Sequence, residues 1–176
     1  MKTTLSAALI VFLAACGGPD KDRGQEGMVL RIPAFKYDRT IPVRFTCDGE
    51  EISPELVWTG VPENAKSLVV VCEDLSPATG TFIHWVVYNI PPTSKGLPQN
   101  VPHVDRLRDG SRQALNPRSQ MGYLGPCPGY ETHRYVFQLY ALDVRLEEEH
   151  PLNGRQVLFL MEGHIIAKSL YPGNYR

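Results

Sequence analysis

The sequence predicts one mainly β domain with α segments, the clearest of them a helix near the C-terminal end. Three observations carry this. Residues 67–74 and 82–90 are near-continuous runs rich in Val, Ile, Phe, Trp and Tyr, the composition of strands buried in a sheet. Glycine and proline stand at 15 each, about a sixth of the chain against roughly 12% in average usage, which favours turns over a helical bundle. The chain has 176 residues, 43% of them hydrophobic, enough for one sizeable core and against wholesale disorder.

Taken in order, residues 1–15 do not belong to that domain. Lys2 gives a short basic start, and residues 5–15 are apolar except for Ser6. The run is too short to span a bilayer but suits the roughly 7–15 residues of an export signal. It ends in Leu13-Ala14-Ala15-Cys16, which resembles a bacterial lipobox. The resemblance implies cleavage before Cys16 and acylation of that residue. Two or three acyl chains, at about 0.8 kcal/mol per buried CH₂, hold a protein stably on a membrane. Residues 16–27 then read as the lipidated Cys and a flexible Gly-, Asp- and Lys-bearing tether, and residues 28–176 as the domain. The expected location is the cell envelope, with the periplasmic face of the outer membrane preferred because Gly17, not Asp, follows Cys16.

Within the domain, residues 28–32, 43–46 and 56–58 are short β-type runs, separated by Asp48-Gly49, Ser53-Pro54 and Gly60-Val61-Pro62. Residues 67–74 and 82–90 follow as the first two strong strands, the second closed by Pro91-Pro92. Residues 100–131 carry eight Gly and Pro positions and no clear element. A long irregular stretch held between strong strands is more often functional than passive. Residues 134–144 form the third strong strand. Residues 153–170 are the helix candidate, with Asn153 as its cap, Val157, Leu158, Met161 and Ile165 as its apolar stripe, and Pro172-Gly173 as its stop.

An exported chain keeps disulfides. Three cysteines remain after Cys16, so at most one internal bridge forms. Cys72 lies inside Leu68-Val69-Val70-Val71-Cys72 and reads as a buried thiol. Cys47 and Cys127, both in Gly/Pro-bearing loops, are expected to pair. Lys and Arg number 18 against 19 Asp and Glu, a net charge of −1, so no charge surplus points to nucleic acid.

Period-two spacing groups Leu68, Val70, Cys72 and Asp74 on one face, Phe82, His84, Val86 and Tyr88 on another, and His133, Tyr135, Phe137 and Leu139 on a third. An acid and two histidines thus sit at or near strand ends. The segment Gly125-Pro126-Cys127-Pro128-Gly129 lies between the histidines in sequence and can offer backbone N–H groups to an anion.

These residues carry a resemblance. Phe45-Thr46-Cys47-Asp48-Gly49, Ile52-Ser53-Pro54 and Leu56-Val57-Trp58, then Gly80 to Ile90, Gly125-Pro126-Cys127-Pro128 with His133-Arg134-Tyr135, and Met161-Glu162-Gly163-His164 resemble blocks of the phosphatidylethanolamine-binding protein family. The likeness is to its bacterial Raf-kinase-inhibitor-like branch. The resemblance implies a β-sandwich of a large and a small sheet with a C-terminal helix. It also implies a preformed anion pocket for phosphate groups, such as a phosphoethanolamine head, or for phosphorylated or anionic partners. Carried over by position, the ligand-binding residues are Asp74, His84, His133, Tyr135 and the backbone of Gly125 and Pro126. One departure stands out: the family's Asp-Pro-Asp-Ala-Pro reads Asp74-Leu75-Ser76-Pro77-Ala78 here, which implies a looser or differently shaped rim.

The expectation is therefore a lipid-anchored binding protein without a cofactor or catalytic residue, with a regulatory role in the manner of a kinase or protease inhibitor open to it by analogy. Its ligand would be a phosphate-bearing small molecule or lipid head group, with no particular protein partner indicated. The alternative is a metal-assisted hydrolase using the same His/His/Asp set. The chain lacks HExxH and GxSxG motifs.

Overall fold

The computed structural model describes residues 27–77, 80–147 and 151–176. The expected signal segment, Cys16 and the tether up to residue 26 lie outside the described residues, as do Ala78, Thr79 and residues 148–150. No helix among the described residues is long and apolar enough to cross a membrane.

The strands are β1 (Val29–Arg31), β2 (Arg39–Thr40), β3 (Leu56–Thr59), β4 (Ser67–Asp74), β5 (Phe82–Ile90), β6 (Gly96–Leu97), β7 (Arg112–Gln113), β8 (His133–Leu142) and β9 (Ile165–Tyr175), with helix α1 (Gly154–Leu160) before the last. They form a small sheet of order β1-β3-β6 and a large sheet of order β2-β9-β8-β4-β5-β7. Leu30, Leu56, Trp58 and Leu97 of the small sheet pack against Leu68, Val70, Cys72, Val87, Phe137 and Leu139 of the large one. Face-to-face packing of two sheets over one apolar layer makes a β-sandwich. The other face of the large sheet packs Val69, Val71, Val86 and Tyr88 under Val157 and Met161 of α1 and its flanks.

The strong strands stand where the apolar runs placed them, because β4 and β5 are central and lose both faces to packing. Elsewhere the structure corrects the expectation. Residues 43–45 form a 3-10 turn rather than a strand, with Phe45 N–H donating to Pro42 O and Thr46 N–H to Val43 O. The helix is short. Asn153 caps it with a complete capping box to Gln156, but Gly163, at φ +79°, turns the chain, and residues 165–175 become β9. The left-handed turn suits glycine, and the β-branched pair Ile165-Ile166 favours a strand paired to β8 over a continued helix. Pro172-Gly173 therefore lies inside a strand, where Pro172 O accepts the Asp38 N–H.

One irregularity positions the site. Cys72 faces Trp85 across β4 and β5, but Glu73 faces Ile83. His84 is the extra residue of a β-bulge, a device that re-aims a side chain. The bulge also corrects the period-two grouping. Trp85 and Val87 enter the inter-sheet core, Val86 and Tyr88 enter the outer one, and His84 turns toward Tyr135, ring centroids 5.2 Å apart.

Candidate anion-binding site

At the end of β4, Asp74 is 4% exposed. Its Oδ1 accepts the Ser76 N–H at 2.9 Å, and its Oδ2 lies 2.6 Å from His133 Nδ1 at the start of the adjacent β8. A carboxylate only accepts, so Nδ1 of His133 carries the proton and Nε2 is the remaining polar atom of the ring. His84 is held the same way from the other side. Its Nδ1 lies 2.9 Å from Leu124 O, a carbonyl that can only accept, so this ring too is a Nδ1–H donor with Nε2 left over. Leu124 N–H in turn donates to His84 O at 3.2 Å. Two imidazoles are thus fixed in tautomer and orientation by partners that do not face a ligand.

Burial pushes the His84 imidazole below its ordinary value of 6.5, only partly offset by the Leu124 backbone, by the Asp74 and Glu51 carboxylates and by the Gly125 backbone. Desolvation disfavours the cation. Between the rings lies Tyr135, fully buried, with its hydroxyl making no hydrogen bond of ordinary geometry. The Cys127 backbone is near enough to act on the phenol, but burial prevails, with Asp74 and Cys72 adding to it, and holds it well above its usual 10. At any physiological pH it is an O–H.

These groups line a pocket of about 420 Å³ together with Pro77, Phe82, Pro117, Arg118, Leu124, Gly125, Cys127 and Pro128. A larger cavity, about 610 Å³, opens beside Leu97, Val101, Val104 and Leu107. It has neither a histidine nor a buried acid, and converging polar groups mark a specific site better than volume does.

The loop closing the pocket is pinned to the turn before Cys47. Cys47 and Cys127 form a disulfide across 80 residues, Cys47 N–H donates to Pro126 O at 3.1 Å, and the Tyr123 hydroxyl donates to Phe45 O at 2.9 Å. Gly125 permits this approach, since a Cβ there would stand 3.0 Å from Phe45 O and from Glu51 Cγ.

A model of the family described as phosphatidylethanolamine-binding protein (PEBP) matches residues 31–176. The chain belongs to that family. A UPF0098 protein of Methanothermobacter thermautotrophicus is 48% identical to it over 149 residues, covering 85% of this chain and 99% of the relative. One from Chlamydia trachomatis is 41% identical over 157 residues, covering 84% and 98%. Among solved structures, the PEBP homologue CT736 of Chlamydia trachomatis superimposes with a TM-score of 0.77 at 39% identity, covering 86% of this chain and 99% of that one. YbcL of E. coli, described as a member of the mammalian PEBP family, gives 0.77 at 27% identity, covering 85% and 98%. Membership in the PEBP family supports a general binding-protein function.

The PEBP fold brings Asp74, His84, His133, Tyr135 and Gly125 to one pocket. Pro126 does not line it; its carbonyl holds Cys47, so its part is to anchor the loop. Gly125 N–H is also engaged, donating to Glu51 Oε1 at 3.2 Å rather than facing the cavity. The rim altered at Ser76 is not slack. Ser76 Oγ accepts the Arg134 N–H at 2.7 Å while its own N–H binds Asp74. The turn-capping role of Asp74 and its role at the site are therefore both filled, one by each oxygen. Sequence reasoning missed Arg118 and Phe82 as lining residues. Cys72 is buried, and burial keeps its thiol protonated.

Proposed function

We propose that this chain is a cell-envelope binding protein whose pocket takes ligands bearing a phosphate group, free or on a lipid head group such as phosphoethanolamine. The observation that carries the reading is the set of polar atoms left over when internal bonds are counted: Nε2 of His84, Nε2 of His133 and the orphan Tyr135 hydroxyl, all in one pocket. A buried hydroxyl without a partner is uncommon in a native protein and calls for one. A phosphate oxygen accepts from all three once the imidazoles carry a second proton.

Binding is favoured over hydrolysis by two features. Among the described residues no three His, Cys, Asp or Glu side chains are placed to hold a metal ion. The pocket lining offers no free hydroxyl or thiol nucleophile except the protonated phenol, since Cys127 is in the disulfide.

Tyr135→Phe tests the reading. The substitution removes a hydroxyl that the unliganded fold leaves unpaired, so stability is expected to rise by about 1 kcal/mol. Affinity for O-phosphoethanolamine is expected to fall about tenfold, the loss of one hydrogen bond to a charged group. Denaturant unfolding and titration calorimetry read the two quantities. A variant that loses stability and binds unchanged would contradict the pocket.

The location belongs to the same proposal. With Cys16 acylated, the pocket stands on a tether at the membrane surface. Cys16→Ala is expected to move the protein from the membrane to the soluble fraction on cell fractionation. A variant still sedimenting with membranes overturns the anchor.

A further inference from the structure

We propose that Arg118 and Glu51 form an exchangeable ion pair on the rim of the pocket, through which the site prefers dianionic phosphomonoesters to monoanionic phosphodiesters; this rests on the phosphate-binding reading above. Arg118 Nη1 lies 3.3 Å from both Glu51 Oε1 and Oε2. The guanidinium side chain is 51% exposed and the carboxylate 30%. Strong guanidinium–carboxylate bonds are shorter and use two nitrogens, and exposed pairs are screened and contribute little. The pair is therefore easily broken.

The backbone beneath Arg118 is not loose. Asn116 is 8% exposed, and its side chain accepts from Arg118 N–H at 3.0 Å and Gln120 N–H at 3.2 Å and donates to Gly122 O at 3.3 Å. The head group can change partner while its Cα stays. Glu51 is fixed as well, since its Oε1 also accepts the Gly125 N–H. When Arg118 leaves, Glu51 keeps a hydrogen bond and stays where it is.

Arg118 is the one permanent cation among the described residues lining the pocket. The Asp74 oxygens are committed to Ser76 and His133. The second negative charge of a phosphomonoester therefore gains a permanent counter-ion only when Arg118 swings from Glu51 onto it. Discrimination by ligand charge follows, because a phosphodiester lacks that second charge.

The test uses the protein at pH 7, where a phosphomonoester is still mainly dianionic, with O-phosphoethanolamine as phosphomonoester and glycerophosphoethanolamine as phosphodiester, measured by titration calorimetry. Wild type is expected to prefer the monoester about tenfold, the worth of one charge-assisted contact. Arg118→Gln is expected to remove that preference by weakening the monoester alone. Glu51→Gln, which keeps an acceptor for Gly125, is expected to tighten the monoester about threefold, and to do so only when Arg118 is present. Both side chains reach solvent, so melting temperatures serve as a folding control. A preference that persists in Arg118→Gln overturns the exchange, as does equal tightening by Glu51→Gln in the Arg118→Gln background, which marks simple repulsion. If both esters bind and His84→Ala weakens both, such a result leaves the pocket standing. If neither ester binds wild type, the phosphate-binding reading falls and this inference with it.

Discussion

Cys47→Ser, Cys127→Ser and the double variant are each expected to lose about 3 kcal/mol of stability, a drop in Tm of about 6–12 °C for a domain of this size. The bridge closes 80 residues of chain, and in the chain-entropy account a loop of that length restricts the unfolded state by about 4–5 kcal/mol. The expected loss is set lower because non-covalent bonds keep the seam partly closed. Pro126 O still accepts from Cys47, Phe45 O from Tyr123, and Glu51 from Gly125. The three variants should be equal, since either serine alone opens the whole loop. Thermal unfolding with and without reductant measures this. A double variant costing the sum of the singles, or single variants melting within about 2 °C of wild type, would count against the seam as described. Because Cys127 lines the pocket, the same variants should also bind phosphate ligands more weakly.

His84→Ala and His133→Ala are expected to weaken O-phosphoethanolamine binding by about 10–100-fold each, the range of a hydrogen bond to a charged group. Neither ring belongs to the apolar clusters, so near-ultraviolet circular dichroism should stay close to wild type. Binding should also tighten as pH falls. His84 in the free protein titrates below 6.5 because it is buried, and an anion against Nε2 raises that value again, so binding takes up a proton between the two. Of the charged groups, the Asp74 and Glu51 carboxylates act on this ring in the free protein, and both oppose the lowering. For folding alone the sign is opposite. The unfolded chain holds the proton more tightly than the buried ring, so the His84 contribution is intact above about 6.5 and is lost as pH falls from there toward the lowered folded value. Protein without ligand therefore loses stability over the range in which ligand affinity rises. Calorimetry from pH 8 to pH 6 with glycerophosphoethanolamine, whose phosphodiester does not titrate in that range, in buffers of different ionisation enthalpy counts the proton. Affinity independent of pH, or equal in His84→Ala, would contradict the assignment.

How far the sequence disclosed this architecture differs by element. β4 and β5 were legible to the residue because central strands are apolar without interruption. The acid and both histidines were legible as polar residues at the ends of such strands. β9 was not, because Val157, Leu158, Met161 and Ile165 fit a helical period that the chain abandons at Gly163. Spacing does not report a left-handed turn, and pairing with β8 settles the matter only in three dimensions. The 3-10 turn at residues 43–45 misled for a related reason: Val and Phe suit a strand, but Pro42 and the bonds that follow it close a tight turn. The bulge at His84 depends on register with β4, which one strand's pattern does not contain. Arg118 was invisible as a site residue, since its partner Glu51 is 67 positions away and both read as ordinary surface charges. The Cys47–Cys127 pairing was accessible because Cys72 sits in an apolar run and excludes itself.

The most direct measurement is a crystal structure of the protein grown with O-phosphoethanolamine. The account predicts phosphorus density in the pocket between β4, β5 and β8, with phosphate oxygens within hydrogen-bond distance of Nε2 of His84, Nε2 of His133 and the Tyr135 hydroxyl. Density at another surface, or an empty pocket at saturating ligand, would contradict it.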